Sequence, residues 1–198
     1  MNSVLDHISD MLPFFLFSVP VIILSRIISI KQMRKKNINT TIHHEIGVIL
    51  FLIFIAGLLS QTIIPRSNEG MTGIDIENFS EFFIVNLIPG KTFMSDISQM
   101  QNGNFDSFLI FFIGNIVMFI PVGFAVPLLW RMPIIRAFFA GAVLSLLIEL
   151  IQLPLPRCTD IDDLILNSVG GIIGTLLFLI VRKIFPKFTD QFRVKACG

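Results

Sequence analysis

Five long apolar segments constrain this chain more than any other feature of its sequence. A transmembrane helix needs about 20 mostly apolar residues to cross roughly 30 Å of hydrocarbon, and each segment is close to that length. The segments are Met11–Ile30, Ile46–Pro65, Ser107–Trp130, Ala137–Leu153 and Leu164–Val181. The composition agrees, because 54% of the 198 residues are hydrophobic and only 15% are charged. The sequence therefore predicts an all-α fold, a polytopic membrane helix bundle of about five transmembrane helices.

Basic residues are concentrated in three of the segments that join or follow these spans. They are Lys31, Arg34, Lys35 and Lys36 after the first span, Arg131 and Arg136 between the third and fourth, and Arg182, Lys183, Lys187, Arg193 and Lys195 after the fifth. Short loops rich in Lys and Arg stay in the cytoplasm. The other connections hold only three basic residues, Arg66, Lys91 and Arg157. We therefore predict a multi-pass protein with its N-terminus outside and its C-terminus in the cytoplasm, which puts Cys158 outside and Cys197 inside.

The long outer connection contains a second apolar stretch, Phe79–Pro89. This stretch is too short to cross the bilayer, so we expect it to lie in the outer interface or to enter the membrane as a re-entrant segment. Whether it covers a site as a lid stays open. Because the cytoplasmic connections are short, we expect residues 1–198 to form a single membrane domain.

A polar run interrupts the apolar pattern where the fourth span ends and the fifth begins. Glu149 and Gln152 are three residues apart and therefore lie on one face of a helix. Residues at three- and four-residue spacing form one stripe along the fifth span: Asp160, Asp163, Asn167, Gly170 and Gly174. The two glycines are spaced for close packing of another helix.

The same region supplies the predicted ligand-binding residues, because polar groups inside a membrane usually mark a functional site. They are Asn115 of the third span, Glu149, Gln152, Arg157 of the connecting loop, Asp160, Asp163 and Asn167. No residue is assigned a catalytic role, and no metal site is predicted.

Structural explanations compete for several of these residues. Asp162 is expected to complement the dipole of the fifth helix, with Thr159 as a possible N-cap. Asn115 and Asn167 could each make only an interhelical hydrogen bond. Glu149 could pair with Arg157 or with a bound cation.

Charged residues outside the stripe have simpler structural explanations. Arg26 lies near the end of the first span and is expected to extend to the headgroups. His43 and His44 have no third ligand nearby, so an interfacial role is favoured over metal binding.

These motifs together resemble the VanZ-like family. The resemblance covers roughly residues 79–182 and rests on NLIP, on GNIVMFIPVG, and on IELIQLPLPRCTDIDDLILNSVGGIIGTLL. In that family an Asn and a Pro-x-Gly precede an E-x-x-Q, an Arg, a D-x-x-D and an N-x-x-G-x-x-x-G. These elements fall here on Asn115, Pro121, Gly123, Glu149, Gln152, Arg157, Asp160, Asp163, Asn167, Gly170 and Gly174. The resemblance implies a bacterial cell-envelope protein and a link to glycopeptide resistance, teicoplanin resistance in particular.

Three functions are compatible with this sequence. The first is a non-enzymatic membrane protein whose outward-facing polar site binds a lipid headgroup, a cell-wall precursor or a glycopeptide. The second is a membrane-embedded enzyme acting on a lipid-linked substrate, with Glu149 as acid or base and a divalent cation at Asp160 and Asp163. The third is a small transporter. The first is favoured, with membrane lipids as partners, no nucleic acid and no cofactor.

Overall fold

The computed structural model describes residues 2–35, 38–63, 85–91, 94, 97, 105–153, 159–193, 195 and 196. Six α-helices lie in these ranges: α1 (Asn2–Lys35), α2 (Ile42–Ile63), α3 (Phe105–Leu129), α4 (Ile134–Gln152), α5 (Ile161–Ile184) and α6 (Pro186–Gln191). Four two-residue strands accompany them: β1 (Ile38–Asn39), β2 (Val85–Asn86), β3 (Thr159–Asp160) and β4 (Lys195–Ala196).

The first five helices are each long and apolar enough to cross a membrane. The segments that meet this criterion are Pro13–Lys35, Ile42–Gln61, Phe112–Leu129, Ile134–Gln152 and Ile161–Ile184. The predicted bundle of five transmembrane helices is therefore confirmed. The helices extend farther into polar sequence than predicted, because basic residues suit a helix C-terminus and acidic residues an N-terminus.

Helix α5 lies against both α3 and α4 and has its most extensive contact with α3, while α1 packs on α2. Glycines make these contacts close. A Cβ atom on Gly174 would collide with the backbone oxygen of Ile120 on α3, and one on Gly171 would lie 2.9 Å from the Cα of Gly141 on α4. Small residues therefore bring the three backbones together, as is usual between helices in a bilayer.

Two kinds of contact join the helices around these glycines. Leu58, Phe119, Val122 and Ile148 form a buried apolar cluster shared by α2, α3 and α4. The hydroxyl of Thr175, which is fully buried, lies 3.1 Å from the carbonyl oxygen of Gly123 and 3.3 Å from that of Ala137. The carbonyl oxygen of Gly171 in its own helix lies at 3.0 Å, so the single proton of this hydroxyl has acceptors on three helices within reach.

The short strands fix two connecting segments. Strand β2 pairs in parallel with β3, so Asn86 lies opposite Asp160 at the start of α5. Strand β4 pairs antiparallel with β1, which brings the end of the chain back to the start of α2. Of the predicted interfacial or re-entrant stretch, residues 85–89 are therefore attached to α5, and residues 79–84 lie outside the described residues.

An ion pair between α1 and α2 corrects one expectation. Arg26 was expected to extend to the headgroups, but its guanidinium donates from Nε and Nη2 to Oε2 of Glu45, at 3.1 and 2.7 Å. The two side chains are only 12% and 14% exposed. A carboxylate within reach satisfies the guanidinium inside the protein, so the charge does not need to reach the membrane surface.

Candidate functional site

Four acidic side chains converge where α4 ends and α5 begins. We call this group the acidic cluster; it contains Glu149, Asp160, Asp162 and Asp163. Its position follows from the short connection between two antiparallel helices, which places the last turn of α4 beside the first turn of α5. Three of the four residues are buried, and Asp163 is half-buried.

Asn115, the site residue predicted in the third span, forms a hydrogen bond with Asp163. The side-chain amide of Asn115 donates to Oδ1 of Asp163 at 2.7 Å. This hydrogen bond joins α3 to the first turn of α5. The interhelical hydrogen bond proposed for Asn115 is therefore present, and it lies inside the acidic cluster.

Asp160 caps α5 and also holds the outer connection. Its carboxylate accepts from the backbone N–H of Asp162 at 2.9 Å, so the N-cap is Asp160 and the expectation of Thr159 was wrong. The same Oδ1 accepts from the side-chain amide of Asn86 at 3.1 Å. The reason for the change of cap is geometric, because the extended backbone of Asp160 aims its carboxylate at the free N–H groups of the first turn.

Asp162 has a more specific partner than the helix dipole alone. Its Oδ1 accepts from the backbone N–H of Gly90 at 2.6 Å. Gly90 has a φ of 81°, a left-handed conformation that closes the turn after Ile88 and suits glycine. Asp162 therefore fixes this turn to α5, a role that its position in the first turn did not reveal.

Glu149 reaches into the cluster from α4. Its side chain is 7% exposed, and Oε2 has no hydrogen-bond partner among the described residues. The backbone N–H of Asp160 points to its carboxyl group, and the charges of Asp163 and Asp160 face it. No described Lys or Arg pairs with Glu149 or Asp163. Gln152, one turn farther along α4, is buried as well.

A second polar layer lies one helical turn deeper in the bundle. Asn167 follows Asp163 by four residues, and its side-chain amide donates to the hydroxyl of Ser145 at 2.9 Å. Ser145 precedes Glu149 by four residues, so both layers lie on the facing sides of α4 and α5. Oδ1 of Asn167 is buried without a partner in the described part of the chain. The polar stripe thus offers two unpaired acceptors in succession.

The predicted site residues are only partly brought together in the described structure. Asn115, Glu149, Asp160 and Asp163 share one layer, Gln152 lies beside it, and Asn167 lies below. Arg157, the one basic residue predicted for the site, lies outside the described residues. Gly170 and Gly174 face the backbone of α3 rather than the acidic cluster.

Three residues that contact the acidic cluster or the polar layer below it were not predicted from the sequence. Asn86 and Gly90 come from the outer connection, and Ser145 from α4. Asn86 could have been suspected from its place in the NLIP motif. Ser145 could have been found from its four-residue spacing to Glu149, which places both on one helix face.

The acidic residues do not form a recognisable metal centre. Among the residues that the structure describes, no group of three or more His, Cys, Asp and Glu side chains could hold a metal ion. His44 is 2% exposed, and its Nδ1 donates to the carbonyl oxygen of Phe192 at 2.8 Å. The arrangement of unpaired oxygen acceptors is instead suited to hydrogen-bond donors.

An apolar groove runs beside the polar stripe on the outside of the bundle. It has a volume of about 470 Å³ and lies between α4 and α5. Ala142 and Leu146 line it on α4, seven and three residues before Glu149, and Leu164 and Ile165 line it on α5 directly after Asp163. The groove therefore leads along the helices to the level of the acidic cluster.

Five apolar helices that enclose a stripe of buried polar residues define a multi-pass membrane protein. The chain belongs to the VanZ/LLP1 family, whose sequence model matches residues 47–182. The match includes residues 79–182, on which the resemblance rests, and begins at residue 47, near the start of α2. No curated protein matches the chain, and no solved structure does.

Proposed function

We propose that this VanZ-like membrane protein binds a headgroup that carries amine or hydroxyl donors, on an outer-leaflet lipid or a lipid-linked cell-envelope precursor. The observation that carries the proposal is Oε2 of Glu149, which has no hydrogen-bond partner among the described residues and belongs to a residue that is 7% exposed. A buried polar atom without a partner is costly in an apolar medium. A ligand donor would remove that cost.

The proposed ligand chemistry follows from the two buried oxygen atoms of the site that have no partner among the described residues. Oε2 of Glu149 and Oδ1 of Asn167 are acceptors, and the charges of Asp160 and Asp163 face Glu149. Acceptors in a negative environment favour a protonated amine, as in an aminophospholipid, an amino sugar or the free amine of a glycopeptide. Charge-assisted hydrogen bonds of this kind gain strength where water is excluded.

The apolar groove gives the rest of a lipid a place to lie. An acyl chain against Leu146 and Ile165 would bring its headgroup to the level of Glu149 and Asp163. Apolar walls combined with a few polar groups are the usual composition of a small-molecule site. This arrangement favours an amphiphile over a free polar solute.

The outer leaflet is proposed from the charge distribution along the chain. The acidic cluster lies at the end of the bundle opposite the basic connections that follow α1, α3 and α5. Since basic loops stay in the cytoplasm, the cluster would face outward. An outward site fits the cell-envelope setting and a contribution to glycopeptide resistance, teicoplanin included.

The test is the lipid content of purified protein, measured by mass spectrometry after mild extraction. Glu149→Gln keeps the size of the side chain and replaces the carboxylate with an amide that cannot attract a cation. The matched control is Asp190→Asn, because Asp190 is an exposed carboxylate at the opposite end of the bundle. We expect an amine-containing lipid or precursor to be enriched on wild type and on the control, and at least tenfold depleted on Glu149→Gln.

Equal lipid content on all three proteins would contradict the proposal. The same variants, expressed at matched levels in cells exposed to teicoplanin, test the resistance role separately. We expect Glu149→Gln to lose any protection that wild type and Asp190→Asn confer. Chemical conversion of the copurified lipid by wild type alone would instead assign acid or base chemistry to the carboxylates.

A further inference from the structure

A second cavity lies at the opposite end of the bundle and has the opposite charge. Its volume is about 550 Å³, and three arginines line it: Arg131 after α3, Arg182 in the last turn of α5, and Arg193 after α6. Trp130, Phe178 and Pro127 supply apolar walls. The cavity shares no residue with the acidic cluster, so it needs an explanation of its own.

The positive charge in this cavity is poorly balanced by the protein. Within the described part of the chain, the one carboxylate that pairs with any of the three arginines is Asp190, 3.8 Å from Nε of Arg193. The Asp190 side chain is 66% exposed, so it offsets little of the charge. Burial, and then the charge of Arg182, lower the pKa of the Arg193 guanidinium below its usual range. Arg131 and Arg182 are exposed to solvent, and a cleft lined by charges of one sign attracts ions of the opposite sign.

The position of Arg193 is fixed by contacts to α2. The carbonyl oxygen of Phe192 accepts from Nδ1 of the buried His44 at 2.8 Å. The carbonyl oxygen of Gln191 accepts from the hydroxyl of Thr41 at 2.6 Å. These contacts fold the segment after α5 against the start of α2, so that Arg193 faces the cavity.

The other side of the cavity is anchored too. The ring of Trp130 packs edge-on against Phe51 of α2, with 5.6 Å between ring centroids. Phe178 is 1% exposed and packs edge-on against Phe124 of α3. These contacts hold the apolar walls of the cavity in place, which suits a preformed binding site.

The cavity also lies at the depth of the lipid headgroups. Arg131 is two residues beyond the membrane-spanning part of α3, which ends at Leu129, and Arg182 is two residues before the end of the span at Ile184. Basic pockets between membrane helices on the cytoplasmic side suit anionic headgroups, and a guanidinium binds phosphate through two parallel hydrogen bonds. Apolar walls beside the arginines suit the start of an acyl chain.

We propose that Arg131, Arg182 and Arg193 form a phosphate-binding site, occupied by the headgroup of an anionic phospholipid in the cytoplasmic leaflet. The shared chemistry is that of a phosphate anion, which a soluble phosphate compound could also supply. This inference is independent of the ligand bound at the acidic cluster.

The experiment measures the melting temperature of delipidated protein in a neutral detergent while one additive is titrated. The additives are phosphatidylglycerol, phosphatidylcholine and inorganic phosphate. The variants are Arg182→Gln and the triple variant R131Q/R182Q/R193Q. The matched control is Arg136→Gln, which removes an exposed arginine at the same end of the bundle that does not line the cavity.

We expect phosphatidylglycerol to raise the melting temperature of wild type and of Arg136→Gln, and phosphatidylcholine to have no comparable effect. Arg182→Gln should need roughly tenfold more phosphatidylglycerol for the same rise, the loss expected from one charge-assisted hydrogen bond. The triple variant should not respond. Arg182→Gln alone keeps the test informative if the triple variant does not fold.

Two other results have defined meanings. A rise with inorganic phosphate at the same concentrations, lost in Arg182→Gln, supports the anion site and assigns it to a soluble phosphate. Equal responses of wild type, Arg136→Gln and Arg182→Gln to phosphatidylglycerol would overturn the proposal.

Discussion

The side-chain amide of Asn115 donates to the carboxylate of Asp163 at 2.7 Å and joins α3 to the first turn of α5. This contact orients one member of the acidic cluster, while Oε2 of Glu149 on α4 has no partner in the described part of the chain. The cluster therefore combines a carboxylate that accepts an interhelical hydrogen bond with one whose Oε2 has no partner among the described residues. We therefore expect substitutions of Asn115 and of Glu149 to have different effects.

Asn115→Ala should destabilise the fold. It removes the donor to Asp163, so we expect the free energy of unfolding to fall by about 1–3 kcal/mol. Equilibrium unfolding in detergent micelles measures the effect. Ser168→Ala is the control, because the Ser168 hydroxyl donates to the carbonyl oxygen of Leu164 in its own helix, and its loss should change stability by less than about 0.5 kcal/mol. Equal effects of both substitutions would show that the Asn115–Asp163 bond contributes little.

Gly174→Ala should weaken the packing of α5 on α3. Its new Cβ would collide with the backbone oxygen of Ile120, and a backbone cannot move aside as a side chain can. Overpacking of this kind costs about 1–3 kcal/mol, which a lower melting temperature would report. Gly114→Ala is the matched control, since no described atom lies within 4 Å of the Cβ it would gain and alanine favours the helix. Equal melting temperatures of the two variants would contradict the close contact.

The Arg26–Glu45 ion pair should show energetic coupling. A double-mutant cycle of Arg26→Ala and Glu45→Ala isolates the pair, because both side chains are mostly buried and bonded at 2.7 Å. We expect a coupling energy of roughly 0.5–3 kcal/mol, with the double variant no less stable than the weaker single variant. Strictly additive effects would indicate that Arg26 is bound mainly by headgroups.

The proposed orientation predicts opposite accessibility of the two cysteines. Cys158 lies in the sequence between α4 and α5, and Cys197 follows α6. In intact cells, a membrane-impermeant maleimide should label the single-cysteine variant C197S, which retains Cys158. The variant C158S should be labelled only after permeabilisation. The reverse pattern would invert the topology and move the acidic cluster to the cytoplasmic side.

Much of this structure follows from local sequence. The five spans are predictable because the length of an apolar segment is a local property matched to the bilayer. The meeting of Glu149 with Asp163 follows from helical spacing on two helices joined by a short loop. Both predictions depend on residues that are close together in the sequence.

The parts that could not be predicted depend on residues far apart in the chain. Asn86 reaches Asp160 across 74 residues, and His44 reaches the carbonyl of Phe192 across 148. The choice of Asp160 over Thr159 as the cap likewise depends on backbone angles set by the pairing of β2 with β3. Helical periodicity contains no information about such contacts, since at least one partner of each pair lies outside the helices, in a turn or an extended segment.

The most direct test of the central claim is the stability of Glu149→Gln, measured with and without bound lipid. If the Glu149 carboxylate serves a ligand, the delipidated variant should be as stable as wild type or more so, and added native lipid should raise the melting temperature of wild type only. If Glu149 is instead held by a buried structural pair, the delipidated variant should lose about 3–5 kcal/mol and respond to lipid as wild type does. That second result would contradict the proposed binding site.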